Sequence, residues 1–234
     1  MNMNELESKL VRDIVKEVPK TADVFRKKGI DFCCGGEIPL LEAAEEAKYD
    51  TQEIIDLVKE TYDSNSSEGG SLDVQYLSIP SLIDYIQNKY HKGLDEELKA
   101  LSPYVTKVSK VHGDRHPHLI ELKELFDRFK ENMIEHTKDE DERVFPNIVK
   151  YVNDTDAVDE KTLNGMLQDL IDDHDGSGDV LKRMREITNG YELPVDACGT
   201  YTLVYARLEQ LEKDTFDHVH MENHILFERV RDFK

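Results

Sequence analysis

The chain is poor in cysteine, in basic residues and in long apolar runs, and each shortage excludes a class of protein. Three cysteines among 234 residues, two of them adjacent, cannot form a disulfide framework, so we expect reduced thiols. Thirty basic against fifty acidic residues give a formal charge of -20, which disfavours binding to nucleic acid and anionic membranes. No stretch approaches the roughly 20 apolar residues that cross a bilayer, and MNMNELESKLVRD has no apolar signal core, so we expect a cytoplasmic protein.

Strand signals and internal repeats are missing too, whereas helical patterns fill the chain, which predicts an all-α fold. Short helical patterns precede the segment YDSNSSEGGSLD, which is rich in Ser, Gly, Asn and Asp and is typical of a flexible linker. The sequence therefore predicts a small N-terminal helical domain over residues 1–61, a linker over 62–75 and a second domain over 76–234.

The second domain has long amphipathic patterns in which apolar residues recur at alternating steps of three and four. Pro117 suits the first turn of the second pattern, and Gly190 suits the end of the third. Short links between long helices predict an antiparallel four-helix bundle. The predicted helices cover residues 81–112, 116–150, 159–189 and 197–233.

Polar side chains interrupt the apolar stripe of every helix in this predicted bundle. The stripe of the second helix continues at the same spacing to His136 and Glu140, and the fourth helix repeats this His-x-x-x-Glu pattern. The first and third helices each place one histidine inward. The inward polar set is His91, His136, Glu140, His174, His218 and Glu222.

These six side chains predict a metal site, because a buried carboxylate without a partner costs several kcal/mol and a bound cation removes that cost. Imidazole with carboxylate suits iron, manganese or zinc, and six ligands are more than one open metal site needs, so a two-metal site is the simplest interpretation. Ligands must also share one height in the bundle. His91 lies 23 residues before the predicted turn at Asp114 and His136 lies 22 after it, as this requires.

The other histidines do not fit the site. His112 also lies on the core-facing stripe, but it is roughly 30 Å from His91 if the helix is not broken at Pro103, which predicts a structural role at the end of the bundle. His220 and His224 miss the stripe of the fourth helix, so we expect both to face solvent. Cys198 is predicted to be a small buried residue.

The histidine and glutamate pattern resembles that of the hemerythrin-like di-iron proteins. HxxxENxxLF at residues 218–227 and DFCCGG at 31–36 resemble the iron-sulfur cluster repair di-iron proteins of the ScdA or RIC (repair of iron centres) type. This resemblance covers essentially the whole chain. It implies two iron ions per chain in an oxo- and carboxylate-bridged centre, a homodimer, and the six inward residues as ligands, with Glu140 and Glu222 as bridging carboxylates.

The resemblance further implies repair of iron-sulfur clusters damaged by oxidative or nitrosative stress, by release of iron to a damaged cluster protein or its scaffold. Oxygen-carrying hemerythrins have a second histidine four residues after that of the third helix, and Gly178 stands there in this chain, so pure oxygen carriage is disfavoured. Two alternatives remain open: a di-iron enzyme that reduces nitric oxide, oxygen or peroxide, and a protein that binds or senses oxygen or nitric oxide. Iron donation rather than catalytic turnover is the expected activity.

The DFCCGG stretch contributes no ligand to this centre. No other cysteine or histidine precedes His91, so a closed zinc site within the first domain is excluded by ligand count. Cys33 and Cys34 are therefore candidate thiols for the relay of iron or electrons. A vicinal disulfide, a site shared between two chains and a purely structural turn are the alternatives.

The residues around the two cysteines indicate opposite effects on their reactivity. Gly35 and Gly36 can take positive φ, which predicts a tight turn that presents both sulfurs. The basic residues 26–28 favour the thiolate form, whereas Asp31 and Glu37 disfavour it.

Overall fold

The computed structural model describes residues 3–47, 49–65 and 74–233, and the chain divides into two compact units. The first unit comprises Met1–Leu77 and Phe216–Glu228, and the second comprises Ser78–Thr215 and Arg229–Lys234. The regular secondary structure of the described residues is helical, apart from one isolated antiparallel bridge between Leu10 and Pro39, so the predicted all-α class is confirmed.

The described residues of the first unit form five α-helices before the segment Phe216–Glu228. Its apolar core includes the fully buried side chains of Phe25, Leu40 and Ile54, which lie on three different helices. Gly29 follows the end of the third helix, and its φ of 69° is the left-handed conformation that glycine adopts just after a helix. The helices are α1 (Met3–Glu7), α2 (Val11–Glu17), α3 (Thr21–Lys27), α4 (Leu40–Glu46) and α5 (Thr51–Asn65).

Long helices make up the second unit, and their ends are capped as the sequence suggests. The Ser78 hydroxyl accepts from the Ser81 amide at 3.2 Å, and the Asp159 carboxylate accepts from the Thr162 amide at 2.8 Å. Gly190 has a φ of 72° just after the third long helix. The α-helices from here to the end of the chain are α6 (Ile79–Ile86), α7 (Lys92–His112), α8 (His118–Asp139), α9 (Phe145–Asn153), α10 (Glu160–Ile187), α11 (Gly199–Met221) and α12 (Phe227–Arg231).

The helices of the second unit form an antiparallel bundle. Helix α8 packs against α7 and α10, and α6 meets α9, so the start of the first long helix lies beside the end of the second. Arg207 binds Glu97 through two hydrogen bonds of 2.7 Å, which join α11 to α7. Arg185 binds the buried Glu212 and joins α11 to α10. The predicted four-helix arrangement is confirmed, and Pro103 lies within α7 without ending it.

Three of the long helices contain a five-residue π-turn in the described chain, which sequence periodicity did not predict. They span Gln87–His91, Glu140–Val144 and Glu222–Leu226. In each, the next amide donates to the carbonyl five residues earlier, as Phe145 does to Glu140 and Phe227 to Glu222. Because π-turns are uncommon and cluster at functional sites, each of the three segments is a candidate functional position.

The predicted linker over residues 62–75 lies largely outside the described residues, which omit 66–73. Helix α5 continues through residues 62–65, and a short 3-10 turn covers Val74–Tyr76. The exact domain boundary stays a prediction. Among the helices in residues 3–47, 49–65 and 74–233, none combines the length and apolarity needed to cross a membrane.

Candidate metal centre

Glu140 is the centre of a buried cluster in the second unit. Its side chain has no solvent exposure, and three imidazole nitrogens surround its carboxylate. Nε2 of His91 lies 3.4 Å from Oε2, while Nε2 of His136 lies 3.4 Å and Nε2 of His174 lies 3.9 Å from Oε1. The structure therefore brings together four of the six residues that the sequence predicts as ligands.

His136 and His174 direct the same ring nitrogen toward one point. Their Nε2 atoms are 2.8 Å apart, and the rings meet edge to face. Two nitrogens bound to one metal at about 2.1 Å and at right angles would be separated by about 3 Å. The observed spacing is compatible with two ligands of one ion, and it is also within hydrogen-bond distance.

His91 is oriented by a carboxylate that the sequence interpretation missed. Its Nδ1 donates to Oδ1 of Asp141 at 2.8 Å, and Gln87 donates to the same oxygen at 2.9 Å. The His91 ring also stacks on Phe145. A proton on Nδ1 puts the lone pair of the ring on Nε2, which lies 3.4 Å from Oε2 of Glu140. The adjacent acidic residues in the sequence EDE, at 140–142, are the signal that could have identified Asp141.

The remaining predicted ligands, His218 and Glu222, lie in the first unit. Both are buried, and His218 Nε2 is 2.9 Å from Oε1 of Glu222. His218 lies in α11, and Glu222 begins the π-turn that follows it. The pair repeats the His136 and Glu140 pattern, in which the glutamate also begins a π-turn.

The four residues of the second unit fit a metal ion. Neither oxygen of Glu140 accepts a hydrogen bond from a described residue, although both are fully buried. The imidazoles at 3.4 to 3.9 Å are too distant to satisfy a carboxylate by hydrogen bonding. A buried charge in this state is costly, and a cation held by the carboxylate and the nitrogens would remove that cost.

Comparisons with known proteins agree with this chemistry. A family model described as a hemerythrin HHE cation binding domain matches residues 82–230, and the ScdA_N model, a domain of unknown function (DUF542), matches residues 7–62. An iron-sulfur cluster repair protein ScdA from Staphylococcus haemolyticus is 46% identical over 94% of this chain and 96% of its own. This chain belongs to the iron-sulfur cluster repair protein family. Further members are a Staphylococcus epidermidis ScdA, 41% identical over 94% of this chain and 97% of its own, and an Enterobacter YtfE, 27% identical over 93% and 94%.

The histidines outside the predicted site correct one part of the sequence interpretation. His220 and His224 were expected to face solvent, but both are buried in this repair-family chain. Nδ1 of His220 donates to the carbonyl of Phe32 at 3.2 Å. Burial lowers the pKa of His220 to about 3 and that of His224 to about 4, so both rings are neutral at physiological pH.

His112 lies at the end of the bundle, where the sequence placed it. It is buried, and its Nε2 is 3.2 Å from Sγ of Cys198. Cys198 itself was expected to be buried and is exposed, because it precedes the first turn of α11 rather than lying within the bundle.

The DFCCGG loop of the repair-family N-terminal unit differs from its predicted form. Positive φ among the glycines of the described chain occurs at Gly29 and Gly190, so the expectation for Gly35 and Gly36 was wrong. Glycine is needed at position 36 for space, since a Cβ there would lie 2.6 Å from the carbonyl oxygen of Phe32.

The two cysteines of the loop are free thiols with unequal exposure. Cys33 is buried and Cys34 is half-buried, so the loop does not present both sulfurs to solvent. Burial, the adjacent Cys34 thiol and the charge of Asp31 raise the pKa of Cys33 well above the usual thiol value. The expected thiolate-promoting effect of residues 26–28 therefore does not prevail at Cys33.

Asp141 provides a test of the cluster. Replacing it by alanine removes the acceptor that orients His91, and we expect iron affinity to fall by about 10- to 100-fold, the usual effect of such outer contacts. Asp141→Asn keeps an acceptor oxygen and should lose less. Iron retained during competition with a ferrous chelator gives the measurement. Glu142→Ala, in the same π-turn but exposed, is the matched control, and equal retention in Asp141→Ala and Glu142→Ala would contradict the orienting role.

Proposed function

We propose that this protein repairs iron-sulfur clusters by donating iron from a labile di-iron centre, and that it does so in the cytoplasm as a homodimer. The observation that carries the proposal is the buried Glu140, surrounded by imidazole nitrogens and without a hydrogen bond from the described residues. Cluster repair is the function named for relatives that align along nearly their whole length.

Six side chains form the proposed ligand set, with Glu140 and Glu222 as bridging carboxylates between two irons. The imidazole nitrogens and carboxylate oxygens of these side chains are donors that iron accepts. The bound iron is the material that is transferred, and the protein's part is to hold the donors in position and to keep the site dry. The full set is His91, His136, Glu140, His174, His218 and Glu222.

A groove beside His136 supports a route for cations. It has a volume of about 820 Å³ and lies between α8 and α10 in the second unit. Five carboxylates and two arginines line it, and the carboxylate of Asp173 is 3.6 Å from Nδ1 of His136. This excess of negative charge favours a ferrous ion over an anion at the mouth of the groove.

The absence of a side chain at Gly178 favours the release of iron over its storage. It is a buried position on α10, one turn after His174, and it has no side chain to coordinate a metal. A centre with fewer protein ligands has fewer bonds to break when an iron leaves. We infer that the missing ligand makes the centre labile.

Gly178→His is therefore expected to slow iron release to a ferrous chelator by about tenfold or more, because even changes outside the ligand set alter metal affinity by about 10- to 100-fold. Cluster repair should fall in parallel. Gly165→His is the matched control, since Gly165 is on the same helix and a Cβ there meets nothing within 4 Å. Equal release rates in the three proteins would argue against Gly178 as the source of lability.

The repair function is tested with a four-iron enzyme inactivated by nitric oxide. Iron-loaded protein should restore its activity without oxygen, and the iron lost from the protein should match the iron gained by the enzyme. The double variant Glu140→Ala with Glu222→Ala should restore nothing. Restoration without iron loss would contradict donation. Repeated consumption of nitric oxide with an electron donor would favour the enzyme alternative instead.

A further inference from the structure

We propose that Asp31, Cys33 and Cys34 form a second metal site, which takes a thiophilic divalent cation such as Fe²⁺ and holds it exchangeably. One ligand atom from each of the three residues lies within 4.8 Å of the other two. None of the three belongs to the histidine and glutamate set. Binding at this site does not depend on the proposed repair function, whereas a role as a carrier of donated iron rests on it.

The geometry of the three donors is already set by the backbone. Oδ1 of Asp31 accepts hydrogen bonds from the amides of Cys33 at 3.0 Å and Cys34 at 2.9 Å, and the Cys33 thiol donates to the same oxygen at 3.3 Å. The two sulfurs are 3.6 Å apart, too far for a disulfide and close enough to share one ion. Binding would therefore need little rearrangement of the loop.

Contacts from the segment Phe216–Glu228 of the same unit hold the loop from behind. Nδ1 of His220 donates to the backbone carbonyl of Phe32, and the side-chain amide of Asn223 donates to the backbone carbonyl of Cys33, each at 3.2 Å. The ring of Phe32 also packs edge to face on Phe216. A loop that is fixed at two successive carbonyls keeps its thiols in place, which a simple surface turn does not require.

The charges of the cluster suit a cation. When a divalent ion binds, each of the two thiols loses its proton. One M²⁺ and two thiols therefore give one metal bound to two thiolates and two released protons. The resulting set of two thiolates and one carboxylate is stabilised by the metal charge. In the absence of a metal ion, burial and the negative charge of Asp31 hold Cys33 in the thiol form. Metal and protons therefore compete, which keeps the affinity moderate at neutral pH.

The number and type of donors determine which ions fit. Two sulfurs favour Fe²⁺, Zn²⁺ or Co²⁺ over Mg²⁺ and Ca²⁺, which prefer oxygen. Three protein donors leave the fourth coordination position of the metal open. A site with an open position exchanges ligands, whereas a site with four protein ligands retains its metal. The half-buried Cys34 lies on the solvent side of the pair. An incoming acceptor ligand could thus reach the metal from that side.

Cobalt provides the test, because Co²⁺ bound to thiolate gives a sulfur-to-metal charge-transfer band that the sulfur-free histidine and glutamate centre does not produce. Metal-free full-length protein, kept reduced and without oxygen, is titrated with Co²⁺. We expect one band whose final intensity corresponds to one thiolate-bound ion per chain, in addition to the ions that the histidine and glutamate centre takes up. Cys33→Ser and Cys34→Ser should each lose it, and Cys198→Ser, which changes the cysteine outside the cluster, should keep it.

Two further measurements make the outcomes decisive. Asp31→Asn preserves the acceptor oxygen for both amides, so the loop should keep its fold while Co²⁺ affinity falls by at least about tenfold. Iron bound at the histidine and glutamate centre is counted separately in every variant, and it should not change, which also shows that the chain is folded. No band in the wild type, or a band that survives Cys33→Ser or Cys34→Ser, would overturn the second site. A wild type that holds no iron at the histidine and glutamate centre would contradict the proposed function and leave the second site standing.

Discussion

Glu140→Ala is expected to remove most of the bound iron, from two ions per chain to less than one. Glu140 is a fully buried carboxylate that lies 3.4 to 3.9 Å from the imidazoles of His91, His136 and His174. Its loss removes the negative charge that would hold a cation among the three rings. Iron quantification and absorption spectroscopy on protein purified without added metal give the result.

Glu142→Ala is the control for this change, since it removes an equally acidic but exposed residue from the same π-turn. It should keep its iron. Iron that remains at two ions per chain in Glu140→Ala would show that the carboxylate is not a ligand. Zinc at one ion per chain in the wild type would contradict the di-iron assignment altogether.

Removal of the metal is expected to lower the melting temperature by about 10 °C. A ligand present at about a thousand times its dissociation constant stabilises a fold by about 4 kcal/mol. In a domain of this size each kcal/mol shifts the melting temperature by about 2 to 4 °C. The physical reason is that chelation leaves the Glu140 carboxylate buried without a cation or a hydrogen bond from the described residues. Calorimetry before and after dialysis against a chelator measures the difference.

Glu140→Gln separates this effect from general damage by the chelator. The amide has nearly the same shape and no charge, so the metal-free variant should melt at or above the metal-free wild type. Its melting temperature should also be insensitive to the chelator. A wild type that melts at the same temperature with and without metal would mean that the buried carboxylate imposes no cost on the fold.

The sequence was sufficient to predict the bundle and the placement of most candidate ligands. The three-four spacing identifies the face of a helix that turns inward, and this spacing is strong over helices of twenty or more residues. His136, Glu140 and His174 therefore appear together as predicted. The helix ends were accurate to within a few residues because Asp159 and Gly190 are clear boundary signals.

His220 and His224 show the limit of predicting burial from helical spacing. Helical spacing gives the direction of a side chain relative to the bundle stripe, and both residues do lie away from that stripe. What covers them is a loop about 190 residues earlier, and nothing in the local pattern encodes such a contact. The same limit applies to Cys33, whose burial depends on its neighbours in space rather than in sequence.

The sequence pattern failed to predict the π-turns for a different reason. One additional residue in a turn changes the phase of a helix but leaves both halves amphipathic, so the pattern still predicts a continuous helix. Asp141 was missed as a consequence, since a regular helix would turn it away from His91.

The π-turn at Glu140–Val144 also limits which insertions and deletions this helix tolerates. Deleting one residue there would restore a regular helix, but every later side chain would rotate by about 100° and move back by about 1.5 Å. Phe145 and Ile148, both buried, would then leave the core. Length changes in this stretch must therefore come in compensating pairs, so the family's helices should vary in length at their ends and loops but not between the metal-binding turn and the end of α9.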